Sequence, residues 1–389
     1  MWCRTKMAFG SRTAPAAIPL LNLEAQHRPI REEILAAVTR VIDSQQFILG
    51  EEVRKLEEEI AEYCGTAYAI GCASGSDALF LALLAQGIGP GDEVLTTPYS
   101  FFATAGEISR AGAIPVFADV DEHTFNLDAN RIADRLASNP RIRAILPVHL
   151  FGGCADMDTI CELAEARGIP VVEDAAQAIG AEYKGRRAGS IGRIGCFSFY
   201  PTKNLGALGD GGILTTNDRQ LAERLRALRV HGSINKYVHR WIGVNSRLDA
   251  LQAAALRVKL RHLDAWSEGR QLNAERYRER LAGSSVTCSL PASYQSRHIY
   301  NQFTIRHADR GPLQAYLKEH GIGSEIYYPL PLHLQPCYAG LGYNRGDFPI
   351  SEKLADEALS LPIQGELSPE DIDYVCDVIL AYPPNRSKS

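Results

Sequence analysis

Ile169-Pro-Val-Val-Glu-Asp-Ala-Ala-Gln177 is an apolar, β-branched run that breaks off at two acids and, three residues on, an amide. Without polar alternation it reads as a strand of a parallel sheet covered on both faces, and its C-terminal residues reach the crevice where such sheets bind ligands. The same texture recurs at Tyr68–Cys72, Glu93–Thr97, Ile114–Val120, Ala144–Val148, Gly195–Tyr200 and Gly212–Thr216, so that with Pro170–Asp174 seven strands are expected. Apolar residues at three- and four-residue spacing predict helices over Arg31–Asp43, Val53–Tyr63, Asp77–Ala85, Thr104–Ala111, Asn130–Ala137 and Met157–Arg167. Strands and helices alternating in this way predict an α/β domain with a mostly parallel sheet.

A long helical pattern over Ser246–Asp264 and a further helix near Trp266–Leu281 lead away from that sheet. Beyond Gly283 the runs shorten, with a strand-like segment at Tyr300–Arg306 and helical stretches at Leu313–His320, Ser351–Leu359 and Pro369–Ala381. This texture predicts a smaller α+β domain. The expected division is a large domain over 18–264, a small one over 265–381, and flexible termini at 1–17 and 382–389.

At 389 residues, 46% hydrophobic and 22% charged, the chain has the composition of a soluble globular protein with a substantial core. A net charge of −5, with Lys and Arg interleaved among acids, gives no basic face for nucleic acid. No apolar run is long enough for a membrane span. Arg4, Lys6 and Arg12 precede an apolar stretch in the manner of a secretory signal, but Pro15 and Pro19 interrupt it and no cleavage pattern follows. Nine dispersed cysteines without a C-x-x-C pair suit reduced thiols, no metal centre and a cytoplasmic setting.

Downstream of Asp174 lies Ser198-Phe-Tyr-Pro-Thr-Lys203, so an acid, an amide, a hydroxyl and an amine all fall just past strand-like runs. Pyridoxal 5'-phosphate needs this set: an amine to form a Schiff base, an anion beside its ring nitrogen, and hydroxyl or amide donors for its phosphate. Lys203, Asp174 and Ser198 can supply them in turn. In Gly71-Cys-Ala-Ser-Gly-Ser-Asp-Ala-Leu79 a strand opens a helix through small residues, and the amides of Gly75, Ser76 and Asp77 would meet a phosphate there; Ser74 or Ser76 could equally be a helix cap. Pro98-Tyr-Ser-Phe-Phe102 could lay a ring on the cofactor, and Gly243-Val-Asn-Ser-Arg247 offers Asn245 ahead of a helix.

Taken with Ser44-Gln-Gln-Phe-Ile-Leu-Gly50, Pro147-Val-His-Leu-Phe-Gly152 and Gly209-Asp-Gly-Gly212, these segments resemble the DegT/DnrJ/StrS family of pyridoxal-phosphate-dependent nucleotide-sugar aminotransferases, from about Ile18 to Ala381. The resemblance implies the aspartate-aminotransferase-like fold type I and a homodimer with sites at the subunit interface. It implies Lys203 as the Schiff-base lysine, Asp174 as the partner of the ring nitrogen and Gln177 as donor to the ring hydroxyl. Gly75, Ser76 and Ser198 would hold the phosphate, Phe101 would stack on the ring, and Asn245 would reach the phosphate from the neighbouring subunit. Family members that act as sugar dehydratases carry His in place of the lysine, whereas position 203 is Lys.

The amine donor expected from the resemblance is glutamate, and the acceptor a keto nucleotide-sugar. His231-Gly-Ser-Ile-Asn-Lys-Tyr-Val-His239, Asn245-Ser-Arg-Leu-Asp249 and Tyr327-Tyr-Pro-Leu-Pro-Leu-His333 resemble members acting at carbon 3 of a hexose more than those acting at carbon 4. Lys236, Arg247, Tyr328 and His333 are the residues expected to meet the sugar or diphosphate. A regulatory protein that binds the cofactor without turnover is the alternative of another class.

Overall fold

The computed structural model describes residues 17–383. The expected flexible termini lie outside those residues, except for Ala17, Tyr382 and Pro383.

Two pieces of sheet form the large domain. Glu93–Thr96 lies between Ile114–Phe117 and Ile142–Ile145, parallel to both. Val172–Asp174 runs parallel to Ile194–Ser198, which pairs antiparallel with Gly212–Thr216, itself antiparallel to Tyr68–Cys72. Parallel bridges from Ile145 to Val171 and from Val148 to Asp174 join the two pieces. Gly212–Thr216 runs antiparallel because no crossover helix precedes it: only the loop Phe199–Gly211 separates it from Ile194–Ser198, and a loop can join antiparallel neighbours but not parallel ones. That loop carries Lys203.

Helices cover both faces of the sheet. Arg31–Ser44, Glu51–Cys64, Met157–Ala166 and Ala250–Leu260 pack one core, around Leu56, Ile60, Ile160 and Phe197. Gly75–Ala85, Ala103–Arg110 and Arg219–Leu228 pack the other, around Ile70, Leu81, Ile108 and Leu225. Gly75–Ala85 is apolar on all sides and correspondingly buried, because it lies between the sheet and the outer helices. The small domain has an antiparallel sheet of Thr287–Cys288, Phe303–Arg306 and Ala358–Leu361 backed by helices Arg310–Glu319 and Pro369–Leu380.

Several elements differ from expectation. The helix expected over Ser246–Asp264 starts only at Ala250; Asn245 instead forms a bridge with Val230. The pattern at Ser351–Leu359 divides into helix Pro349–Glu357 and strand Ala358–Leu361, which is buried on both faces and so shows no alternation. Helix Arg219–Leu228, capped by the Asp218 carboxylate on the amides of Gln220 and Leu221, was not foreseen. Ala118–Val120 leave their strand so that the buried Asp119 can accept from the amides of Ile350 and Ser351, both at 2.9 Å, and cap the helix Pro349–Glu357. This contact ties the small domain's helix to the large domain's sheet.

Candidate active site

The C-terminal ends of the parallel strands open into a cavity of about 740 Å³, lined from the large domain by Ser74–Ser76, Phe101, Thr104, Asp174, Gln177, Ser198 and Lys203, and from the other side by Gln302 and Glu325–Tyr328.

Asp174 ends its strand and is buried. Its Oδ2 accepts from the Thr104 hydroxyl at 2.8 Å and its Oδ1 from the Ala176 amide at 3.2 Å, and Ser100 braces Thr104 at 2.8 Å. Burial raises its pKa above the ordinary carboxylate value, while Thr104, the Ala176 amide and Lys203 pull the other way. Its neighbour Glu173 points to the opposite face of the strand, where it is fully buried and accepts from the Gly189 and Ile191 amides at 2.7 and 2.9 Å and meets His149 at 2.9 Å. Glu173 thereby fixes the strand end that presents Asp174.

Lys203 sits in a tight turn, its amide donating to the Tyr200 carbonyl at 2.9 Å. Burial lowers its amine to about 8, opposed by Asp174. At neutral pH roughly a tenth of it is then the neutral, nucleophilic amine.

Helix Gly75–Ala85 opens at the cavity, and its first residues are packed against the strand ends. A Cβ on Gly75 would lie 2.5 Å from the Ser198 Cβ, and one on Gly212 would lie 2.3 Å from the Ser74 carbonyl, so both positions need glycine for close approach. The Asp77 amide does not serve a ligand as expected: the Ser74 hydroxyl caps it at 3.1 Å. Among the described residues no side chain caps the amides of Gly75 and Ser76, which are left to an anion at the positive end of the helix dipole.

An amine of lowered pKa, a buried carboxylate and an anion cradle meet at the ends of the parallel strands, a set suited to a cofactor. The sequence pattern of the DegT/DnrJ/EryC1/StrS aminotransferase family matches residues 28–380. The chain belongs to that family. It is 50% identical to a Geobacillus stearothermophilus protein named a pleiotropic regulatory protein, over 94% of this chain and 98% of the relative. It is 46% identical to the UDP-N-acetyl-3-dehydro-alpha-D-glucosamine 3-aminotransferase of Acidithiobacillus ferrooxidans, over 94% and 98%. The crystal structure of S. venezuelae DesV superposes with a TM-score of 0.92 at 44% identity, covering 95% of this chain and 99% of that one. The fold is accordingly that of the fold type I aminotransferases.

DegT/DnrJ/EryC1/StrS aminotransferases use pyridoxal 5'-phosphate, and the residues of this cavity fit it. A lysine amine, a buried acid and a glycine-bounded anion cradle have the chemistry that its aldehyde, ring nitrogen and phosphate need. Gln177 accepts from the Phe151 amide through Oε1 at 2.8 Å, which fixes its orientation, and its Nε2 donates to the Tyr328 hydroxyl at 3.0 Å. Phe101 is 57% exposed within the cavity wall, its ring 6.1 Å from that of Tyr328.

The cavity thus gathers Gly75, Ser76, Phe101, Asp174, Gln177, Ser198, Lys203 and Tyr328. Asn245, Lys236, Arg247 and His333 do not line it. His333 is buried against Phe348, and its Nε2 meets Glu352 at 3.1 Å, so its polar contact is spent away from the cavity. Asn245 is exposed, and Lys236 stands on an exposed turn between Ser233–Asn235 and Val238–His239. Thr104, Gln302 and Glu325 were missed. Only Thr104 carried a signal, since it opens a helix directly after the Pro98–Phe102 segment.

Proposed function

We propose that this protein is a pyridoxal-phosphate-dependent aminotransferase that moves the amino group of glutamate to carbon 3 of a keto nucleotide-sugar, and that it works in the cytoplasm as a homodimer. The convergence of the Lys203 amine and the buried Asp174 carboxylate on one cavity carries this reading. The bound cofactor would supply an electron sink for the charge left on the donor carbon once its proton is removed. Asp174 would keep the ring nitrogen protonated as a carboxylate, the form that the Thr104 hydroxyl, the Ala176 amide and Lys203 favour against the effect of burial. Lys203 Nζ, on its short loop, would take the proton from the donor carbon and return one on the same face, a task that contributes roughly 10²–10⁴-fold. Gln177 and Phe101 would fix the plane of the ring, and Gly75, Ser76 and Ser198 the phosphate.

Carbon 3 is supported by the relative named as a 3-aminotransferase and by the likeness of the Asn245–Asp249 and Tyr327–His333 segments to members of that type. The test loads the enzyme with pyridoxamine phosphate and offers 3-keto and 4-keto nucleotide-sugars side by side. Faster recovery of visible absorbance with the 3-keto sugar is expected. Faster recovery with the 4-keto sugar would move the assignment to carbon 4. Running the reaction backwards from 3-amino and 4-amino sugars gives the same comparison with more stable compounds.

Two observations support the homodimer. Lys203 is the only Lys or Arg lining the cavity among the described residues, although glutamate and a nucleotide diphosphate are both anions. Apolar side chains stand exposed near the lysine loop and beyond it, with Tyr200 at 53%, Leu208 at 49% and Ile242 at 96%. A second copy would cover them and bring Asn245, with Lys236 and Arg247, to the first copy's cavity. Lys203→Ala and Asn245→Asp should each be nearly inactive, the latter because a carboxylate repels the phosphate. After subunit exchange at equal amounts, about a quarter of wild-type activity should return, since roughly half the dimers are mixed and one site in each is whole. Verified exchange without recovery would place Asn245 in its own chain's site or outside any site.

The eight cysteines among the described residues are free thiols, as suits a reducing compartment. No helix of the described residues is long and apolar enough to cross a membrane.

A further inference from the structure

Lys259, near the end of helix Ala250–Leu260, has no accessible surface. Burial lowers its pKa to about 8, with no carboxylate among the described residues drawing it back. An unpaired buried ammonium is costly, and a methionine of similar length would fill the same space without that cost. The amine is nevertheless engaged. It donates to the Gly206 carbonyl and lies 2.8 Å from His27 Nε2, whose own pKa is lowered by burial and by Lys259, so that a neutral imidazole accepts the second hydrogen bond.

Gly206 belongs to the loop that carries Lys203. The loop doubles back on itself: a Cβ at Gly206 would lie 2.2 Å from the Pro201 carbonyl oxygen, and the Ala207 amide donates to the Phe199 carbonyl at 2.7 Å. On its other side Asn204 donates to the Ile299 carbonyl at 2.9 Å. Lys203 therefore stands on a loop held from outside by Asn204 on the Ile299 carbonyl, by the Gln252 side chain on the Leu208 amide at 2.8 Å, and by the Lys259 amine on the Gly206 carbonyl.

We infer that Lys259 is a positioning residue for Lys203, its buried amine fixing the lysine loop through the Gly206 carbonyl with His27 as second acceptor. This rests on the reading of Lys203 as the cofactor lysine. A methylene chain in place of the amine would keep the packing but leave the Gly206 carbonyl without its donor, and the turn could relax. Small displacements of a catalytic group are expensive in rate even when the fold is unchanged.

The test uses the enzyme loaded with pyridoxal 5'-phosphate, as wild type, Lys259→Met and His27→Gln. Three quantities are read: the pH midpoint of the cofactor's visible absorbance, kcat and KM for glutamate, and Tm. Lys259→Met should move the midpoint by about half a unit or more, because the surroundings of Lys203 change. It should lower kcat about tenfold with KM within about twofold, and its Tm should not fall. His27→Gln, which keeps an acceptor, should match wild type in midpoint and kcat. A Lys259→Met enzyme with wild-type midpoint and kcat overturns the inference, whatever its Tm. If that variant does not fold, His27→Leu decides: a midpoint shift of about half a unit or more supports the brace, and an unchanged midpoint and kcat overturn it. Failure of the cofactor reading looks different, since borohydride would then fix no cofactor covalently to the wild type, or would still fix it to Lys203→Ala.

Discussion

Lys203→Ala is expected to abolish measurable turnover, by at least about 10²–10⁴-fold, the share that a positioned general base supplies. The loss follows from the lysine's place on the loop. Among the described residues its amine is the only one lining the cavity, so no other amine there can attack the cofactor aldehyde. The fold should survive, because the substitution removes an amine that burial already penalises and leaves the Tyr200 carbonyl bonded to the backbone amide of residue 203. Initial rates with glutamate and a keto sugar, visible absorbance, and Tm as a folding control check this. A rate within about tenfold of wild type would show that another group does the work assigned to Lys203.

Asp174→Asn carries the second large effect, a loss on the order of 10²–10³-fold, comparable to removing one fixed electrostatic partner from an active site. The amide keeps an oxygen for the Thr104 hydroxyl or the Ala176 amide, so the side chain stays near its place. What it loses is the negative charge that would hold a proton on the ring nitrogen. The fall should appear in kcat, with KM for glutamate changed little, because no donor carboxylate is assigned to Asp174. A variant within a few-fold of wild type would mean that a different acid faces the ring.

The residues whose place was legible from sequence are those at the ends of strands. Asp174, Ser198 and Gly75 follow or precede runs so apolar that their strand character overrides other readings, and the crevice position comes with the parallel sheet. Residues brought in from far along the chain were less legible. Glu325 and Gln302 enter the cavity only because the small domain folds back on the large one, and no local pattern announces that. His333 illustrates the converse: a histidine in a family-like segment, placed by tertiary packing against Phe348 and Glu352 rather than in the cavity. Ala358–Leu361 was absorbed into a helix because a strand buried on both faces loses its alternation. Lys259 could not be found by pattern at all, since a lysine next to Leu260 and Arg261 at a helix end ordinarily reaches solvent.

The alternative of a regulatory protein that binds the cofactor and turns nothing over is not favoured by the relatives, which include named sugar aminotransferases. The complete set of Lys203, Asp174 and the glycine-bounded cradle argues for turnover, and the half-reaction distinguishes the two readings most directly. Purified protein loaded with pyridoxal 5'-phosphate is mixed with glutamate and its visible absorbance followed, then a keto nucleotide-sugar is added. An aminotransferase bleaches with glutamate, releases 2-oxoglutarate in amounts matching the bleached cofactor, and recovers its absorbance with the sugar. Absorbance unchanged by glutamate in a fully loaded, folded protein, with no 2-oxoglutarate formed, would contradict the assignment.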